Sequence, residues 1–525
     1  MIDNPVPLDP FYYLKNFERV LHSLRERYAD LLCEDEREFI RCFATIPQAS
    51  RALLVRMVMR SGELFRESKL NYAEIGDTRA AVLPLTQQGW VDASPQLTFE
   101  ELHRLLTKSE FSKAFRRTGR ERCRKSELVA LLQPHYPHAR PFRDWCQGLG
   151  DAVYRLCVAQ RCERFRLMFF GNFSQHWSEF VLADLGIFTF EKVDLPRHSR
   201  AFRCREDIDA FAQLNRCREL MSSKAPLYEV VEAMPAELCG SDWLQERRQK
   251  LLFDLARAFE RSGDVAQACA IYSRCTDAAA ADRALRLQQR VQRELGIRAR
   301  TPRPKRNATQ PSRFELVLDK PASGCSIEYH ARNYLARLMP EGATVHYVEN
   351  GLINSLFGLL CWNAVFAPVP GAFFHEFHRG PADLSSSEFY RRREREFAAC
   401  FAELESGSYQ TTIRETYARK VGIQSPFVAW SRVSESLLEQ ALLCFPAEHL
   451  RQWFEWIARD VPRNRTGFPD LIQLWPQERR YRMIEVKGPR DRLQENQRRV
   501  LKFCAAHGMP AVVCHVRWAE DAAQT

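Results

Sequence analysis

The chain has 525 residues, enough for about three or four domains and for a large core that folds without disulfides or structural metals. Hydrophobic residues make up 45% and charged residues 27%, ordinary globular values that exclude wholesale disorder and collagen-like repeats. Lysine and arginine number 77 against 66 acidic residues; the +11 surplus suits a polyanionic partner, although many soluble proteins carry as much. The 17 cysteines contain no C-x-x-C pair, and the spacings Cys157/Cys162 and Cys269/Cys275 fit no common zinc ribbon or finger. The start, MIDNPVPLDPFYYLKNF, has no basic region followed by an apolar stretch, so a secretory signal is not expected, and the many unpaired thiols point to a reducing compartment. The most apolar window, Leu356 to Phe374, is interrupted by Asn363, Pro368, Pro370 and Gly371 and reads as buried helix plus turn. A cytoplasmic protein with no membrane partner is the expectation.

Residues 1–90 carry helical periodicity, with Leu14, Phe17, Val20, Leu21 and Leu24 on one face. From Thr98 to Leu132 the sequence predicts two helices, TFEELHRLLTKSEF and RKSELVALL, joined by a basic connection. Between Arg104 and Lys125 nine basic residues face two acidic ones. Lys113, Arg116, Arg117, Arg120, Arg122, Arg124 and Lys125 are the candidate DNA-binding residues of this run, because cations on a compact helical pair release counterions from a phosphate backbone. The plain alternative is a solvated face. From Ser241 to Leu295 an alanine-rich pattern, broken by Ser262, Gly263 and Asp264, predicts one tetratricopeptide-like helix pair without a repeat at fixed period. Residues 297–313 hold three prolines, six basic residues and no acid, and read as a linker. Beyond it come aromatic helices, short strand-like runs and a final strand, AVVCHVRW.

Gly467 to Phe503 carries the chemistry. Pro469-Asp470 leads into LIQLW, which turns over PQERR and returns as YRMIEVK, a hairpin. Alternation sets Met483, Glu485 and Lys487 on one face and Ile484 and Val486 on the other. Asp470, Glu485 and Lys487 fit the pattern PD…(D/E)xK. Its carboxylates can hold hard divalent cations that polarise a phosphoryl group, and its lysine can orient a water and offset charge in the transition state. By chance the same letters make a turn and an exposed salt bridge. Gly488-Pro489 stops the strand after the lysine, and a helix is predicted from about Asp491, with Leu493, Gln497, Val500 and Leu501 on one face. Gln497 would then face the site.

The string IEVKGPRDRLQENQ resembles the core of the VRR-NUC domain, a branch of the PD-(D/E)xK nuclease superfamily. The longer order VENGLINSLFGLLCWNAVF, GPADL, FPDLIQLW and IEVKGPRDRLQENQ resembles the Fanconi-associated nuclease family, its bacterial members in particular. The resemblance implies mainly α-helical N-terminal and middle regions with a C-terminal α/β nuclease domain. It divides the chain into an N-terminal helical region (1–90), a SAP-like DNA-binding region (91–200), a tetratricopeptide-like region (201–296), a basic linker (297–313) and a VRR-NUC domain (314–525). It also implies Asp470 and Glu485 as metal ligands, the Val486 carbonyl as a further ligand, Lys487 as the catalytic lysine, and Glu349 as an upstream ligand. Glu349 has an ordinary alternative, a helix N-terminal acid favoured by the dipole. Gln497 and Arg492 match the DRLxxxQ portion and would support the site.

Such a family implies a structure-selective DNA nuclease, hydrolysing phosphodiesters with magnesium or manganese. It would cut 5′ flaps and branched duplexes and degrade from the 5′ side in interstrand crosslink repair, leaving a 5′ phosphate and a 3′ hydroxyl. Because the chain carries its own DNA-binding regions a monomer is the expectation, with dimerisation left open, working in the bacterial cytoplasm and nucleoid-associated when acting. No counterpart of the basic pocket with which some members grip a terminal 5′ phosphate is placed, so the end requirement stays open. Two other readings remain at this point: a junction resolvase of the same superfamily, and a noncatalytic DNA-binding scaffold.

Overall fold

A computed structural model describes residues 9–115, 129, 131–173, 175, 177, 188–235, 241–276, 280–281, 283–288, 312–320 and 326–519. It divides into two compact units: residues 1–187 with 202–216, and residues 188–201 with 217–525.

The first unit opens with a helix, Tyr12–Tyr28, whose predicted apolar face is buried in full. Helices Glu34–Phe43, Gln48–Val58 and Thr78–Gln87 follow. A small antiparallel sheet sets Val153–Leu156 between Leu64–Arg66 and Val91–Asp92. The stretch read as one helix from Thr98 is two, Phe99–Leu105 and Lys108–Ala114. The reason is local: Thr98 with Glu101, and Thr107 with Glu110, each close a reciprocal capping box, so the second T-x-x-E starts a new helix. Most of the partner RKSELVALL, and the basic residues Arg116, Arg117, Arg120, Arg122, Arg124 and Lys125, lie outside the described residues. Lys113 is described and exposed, on the second short helix.

One buried cation ties this unit together. The Arg66 guanidinium donates to both Glu110 carboxylate oxygens at 2.7 and 2.8 Å, and to Asp151 at 2.8 Å. The Thr107 amide and then Arg66 hold the Glu110 carboxyl down at about 2. Removing the cation would leave the buried Asp151 carboxylate without an opposite charge, held among the described residues only by hydrogen bonds from Ser68 and the Ala152 amide. Arg66→Ala is therefore expected to destabilise the chain by about 3 kcal/mol, read as a lower urea midpoint.

In the second unit the helix pair predicted around Gly263 is present, Asp242–Ser262 and Val265–Tyr272, with Gly263 left-handed at φ 90° and Asp264 capping the second helix through the Gln267 amide. Residues 297–311 of the predicted linker lie outside the described residues, and its last residue, Arg313, instead begins a strand. That strand belongs to a five-stranded mixed sheet, here numbered β1 (Arg313–Leu318), β2 (Thr344–Tyr347), β3 (Leu471–Trp475), β4 (Arg480–Lys487) and β5 (Ala511–Trp518). The order is β1-β5-β4-β3-β2; β5 runs parallel to both β1 and β4, and the other neighbours are antiparallel.

Each face of the sheet buries a different core, and the alternation of β4 decides which residue goes where. Ile484 and Val486 join Leu471, Cys514 and Val516 beneath helix α1 (Ile327–Arg337). Tyr481 and Met483 face the larger core with Ile472, Leu474, Val500 and Cys504. The apolar window is confirmed as buried helix, α2 (Leu352–Leu360), followed by a short turn of helix at Trp362–Val365. Among the described residues no helix is long and apolar enough to cross a membrane. The helix after the hairpin, α3 (Glu495–Ala506), starts four residues later than predicted, because Asp491 first closes a turn by accepting from the Gly488 amide at 3.1 Å.

Candidate active site

The hairpin is the frame. β3 pairs with β4 through Leu471↔Ile484, and continuing that register by one residue sets Asp470 opposite Glu485. The Asp470 carbonyl accepts from the Val348 amide at 2.8 Å, and its Oδ2 accepts from the Val486 amide at 2.9 Å. Two residues along the same face of β4, Lys487 brings Nζ to 2.7 Å from Glu485 Oε1. Relative exposure is 8% for Asp470, 1% for Glu485 and 9% for Lys487, so the three charges meet in a largely dry place.

Two carboxylates in such a place resist ionisation. Burial first, against the pull of the Val486 amide and Lys487, pushes Asp470 up to about 6, helped by the charges of Glu328 and Glu349. Burial and then the neighbouring Asp470 push Glu485 up to about 8, although Lys487 opposes this. Glu485 Oε1 is buried with no well-directed hydrogen bond; the Lys487 contact is close but poorly aligned. A hard divalent cation fits this pair, since it would supply the positive charge that the two carboxylates lack. Among the described residues no three His, Cys, Asp or Glu side chains cluster to enclose a metal. A cation here would therefore be held by Asp470, Glu485 and main-chain oxygen and would keep waters, as magnesium commonly does. Bound there, it would supply Lewis-acid polarisation of a scissile phosphoryl group.

Glu349 stands at the rim, half-exposed, in the turn after β2. It takes a hydrogen bond from the Tyr347 hydroxyl, and the Arg432 guanidinium lies 4.0 Å from its carboxylate and donates to its carbonyl at 2.7 Å. Its charge is felt by both buried carboxylates. Gln497 is not brought into the group. It occupies the third position of α3, and its carboxamide oxygen accepts from the Gln494 amide at 2.9 Å, closing a capping box. A glutamine three residues past a helix start folds back in this way to satisfy an orphan amide. Arg492 is exposed in the turn before α3.

The sequence reading missed the residues that hold the PD turn. Asn350 adopts φ 51°, and its Oδ1 accepts from the Gly467 and Phe468 amides at 2.8 and 3.0 Å. Asn354 donates to the Asn350 and Arg465 carbonyls at 2.7 and 2.8 Å. The Asn-Gly pair at 350–351 was the available signal, because asparagine tolerates the left-handed region and commonly makes turns. Gly467 is required for two reasons: its φ is +93°, and an added Cβ would lie 2.6 Å from the Asn496 carbonyl carbon. Gly467→Ala is expected to displace the PD turn from α3 and to slow cleavage by about a hundredfold, measured as a single-turnover rate.

The family models described as "FAN1, HTH domain", "Fanconi anemia-associated nuclease SAP domain" and "VRR-NUC domain" match residues 11–92, 96–145 and 404–518. A Fanconi-associated nuclease 1 homolog of Pseudomonas aeruginosa is 49% identical over 99% of this chain and 98% of its own length. This chain belongs to the Fanconi-associated nuclease 1 family. It is a DNA nuclease, a hydrolase of phosphodiester bonds, with the helical N-terminal regions and C-terminal VRR-NUC domain that the sequence implied. A rice homolog is 25% identical over 96% of this chain, which spans 62% of that longer relative. The crystal structure of paFAN1 bound to 2nt 5′ flap DNA with gap superposes with a TM-score of 0.85 at 49% identity, covering 98% of this chain and 99% of the other. The complex with a 1nt 5′ flap gives 0.84, covering 97% and 99%. The family implies dependence on a divalent metal, in keeping with the buried carboxylate pair.

Proposed function

We propose that this chain uses magnesium or manganese to cut 5′-flap and branched duplex DNA near the junction and to degrade DNA from the 5′ side. It works as a monomer in interstrand crosslink repair, in the bacterial cytoplasm and on the nucleoid when acting. The observation that carries this reading is the pairing of buried Asp470 and Glu485 with Lys487 on one hairpin face. The paFAN1 complexes with 5′ flap DNA support the substrate class. Asp470, Glu485 and the Val486 carbonyl would hold the cation, and Glu349, which the structure leaves at the rim beside Arg432, would reach it only by turning inward. Lys487 positions the attacking water and offsets negative charge gathering on the phosphoryl group. Gln497 is left to its helix cap, and Arg492 remains a candidate for backbone contact outside the group.

The division of labour proposed with it gives residues 91–200 the duplex, 201–296 a spacer role, and 314–525 the chemistry. Phosphate contacts select shape rather than sequence, which suits a junction-selective enzyme. Charge reversal at Arg116, Arg117, Arg122 and Lys125 is expected to weaken DNA binding and flatten its salt dependence; an unchanged slope of log affinity against log salt would make the run a solvated face.

The deciding experiment is incision of an end-labelled 5′-flap DNA with magnesium, manganese or EDTA, beside Asp470→Ala. Metal-dependent incision near the junction, absent from the variant, is expected. DNA binding without incision in either metal would leave the scaffold reading standing.

A further inference from the structure

Beside Glu349 lies a cavity of about 320 Å³, at the small end of the range that takes organic ligands. It is lined by Tyr329 and Arg332 of α1, His346 and Tyr347 of β2, and Ser431 and Arg432. The cavity begins one side chain from the proposed centre, because Tyr347 and Arg432 both touch Glu349.

Its chemistry is specific. Arg332 spends Nε on the Val345 carbonyl at 3.1 Å and Nη1 on Asn333 at 2.9 Å, and no carboxylate pairs with it among the described residues. Arg432 lies over the Tyr347 ring, 5.4 Å from its centroid. Burial first, and then the Arg332 charge, hold His346 below the ordinary histidine value, so the guanidinium groups carry the positive charge. Tyr329 is 49% exposed and packs against Tyr347 with ring centroids 4.9 Å apart and planes at 32°. Planar guanidinium groups match phosphate oxygens, and an exposed aromatic ring beside a basic wall is a platform for an unpaired base.

We infer that this cavity is a single-nucleotide subsite: it takes the unpaired nucleotide next to the scissile phosphate, with a phosphate on Arg332 and Arg432 and the base on Tyr329. The inference rests on the nuclease reading and adds the strand that the site engages. A paired base has both faces covered by its neighbours, so the subsite favours DNA frayed or already single-stranded at the point of incision.

The test is a cycle between protein and substrate, using the full chain. A single abasic position is moved through the nucleotides flanking the incised bond of a 5′ flap, for wild type, Tyr329→Ala, Tyr329→Phe and Arg332→Gln. At one position the abasic flap should be bound and cut about tenfold more weakly by wild type, the loss of one base stack. Tyr329→Ala should show the same loss on the intact flap and no further loss on the abasic one, while Tyr329→Phe behaves as wild type. Arg332→Gln should raise KM and leave the base effect in place. Independent, multiplying losses at every position, or wild-type behaviour of Tyr329→Ala, would overturn the subsite. The same cycle read as binding anisotropy in EDTA decides it without cleavage, so a failure of all proteins to cut would count against the nuclease reading alone.

Discussion

Asp470→Ala and Lys487→Ala each lose cleavage of 5′-flap DNA by a factor of at least about a thousand, while DNA affinity changes little. The size follows from what each group supplies. Removing one preorganised electrostatic contact to the developing charge typically costs about 10²–10³ in rate, and Asp470 also anchors the frame. Its side chain holds the Val486 amide and its carbonyl holds Val348, so alanine loosens the turn as well as the cation. Lys487 is different. It is buried beside Glu485, and alanine removes the only cation the structure places against that carboxylate among the described residues. Affinity is spared because most of it comes from phosphate contacts spread over a wide surface. The measurements are single-turnover incision and anisotropy in EDTA. Cleavage at the wild-type rate in either purified variant would refute the assignment.

The chemistry was legible because its signal is local. In YRMIEVK the two-residue period alone separates Glu485 and Lys487 from Ile484 and Val486, and the structure keeps that separation between two cores. The final strand, AVVCHVRW, spans the residues read from the sequence. What escaped depended on distant partners. β1 is RFELVL at the sheet edge, where half of its side chains meet no core, so its pattern merged with the linker before it. β2 has only four residues and is a strand because β3 pairs with it. Gln497 shows a related effect: helical periodicity placed it on the site's face, and the helix start after the Asp491 turn commits its carboxamide oxygen to a cap. Glu328 lies more than 140 residues from Asp470 in sequence, and only the packing of α1 against the sheet brings its charge to bear on Asp470.

Glu485→Gln is expected to abolish incision and yet raise the thermal stability of the metal-free chain at alkaline pH. The sign follows from the direction of the shift. Burial and Asp470 lift the Glu485 carboxyl to about 8 in the folded protein, whereas in the unfolded chain it titrates near the ordinary carboxylate value of 4.5. The unfolded state therefore gives up its proton first as pH rises. Whatever stability the protonated side chain contributes is present in full below about pH 4.5, declines between there and about pH 8, and is gone above it. Glutamine keeps the neutral shape at every pH, so the gap between variant and wild type opens through that window and is full on its alkaline side. An unfolding midpoint at least about 2 °C higher than wild type at pH 9 in EDTA is expected, with little difference at pH 5. Magnesium should narrow the gap by stabilising wild type alone, since a bound cation favours the ionised carboxylate and the neutral amide of the variant would bind it poorly. Equal midpoints for the two proteins across pH 5–9 would show that Glu485 is ionised without strain, and that the buried pair is not waiting for a cation.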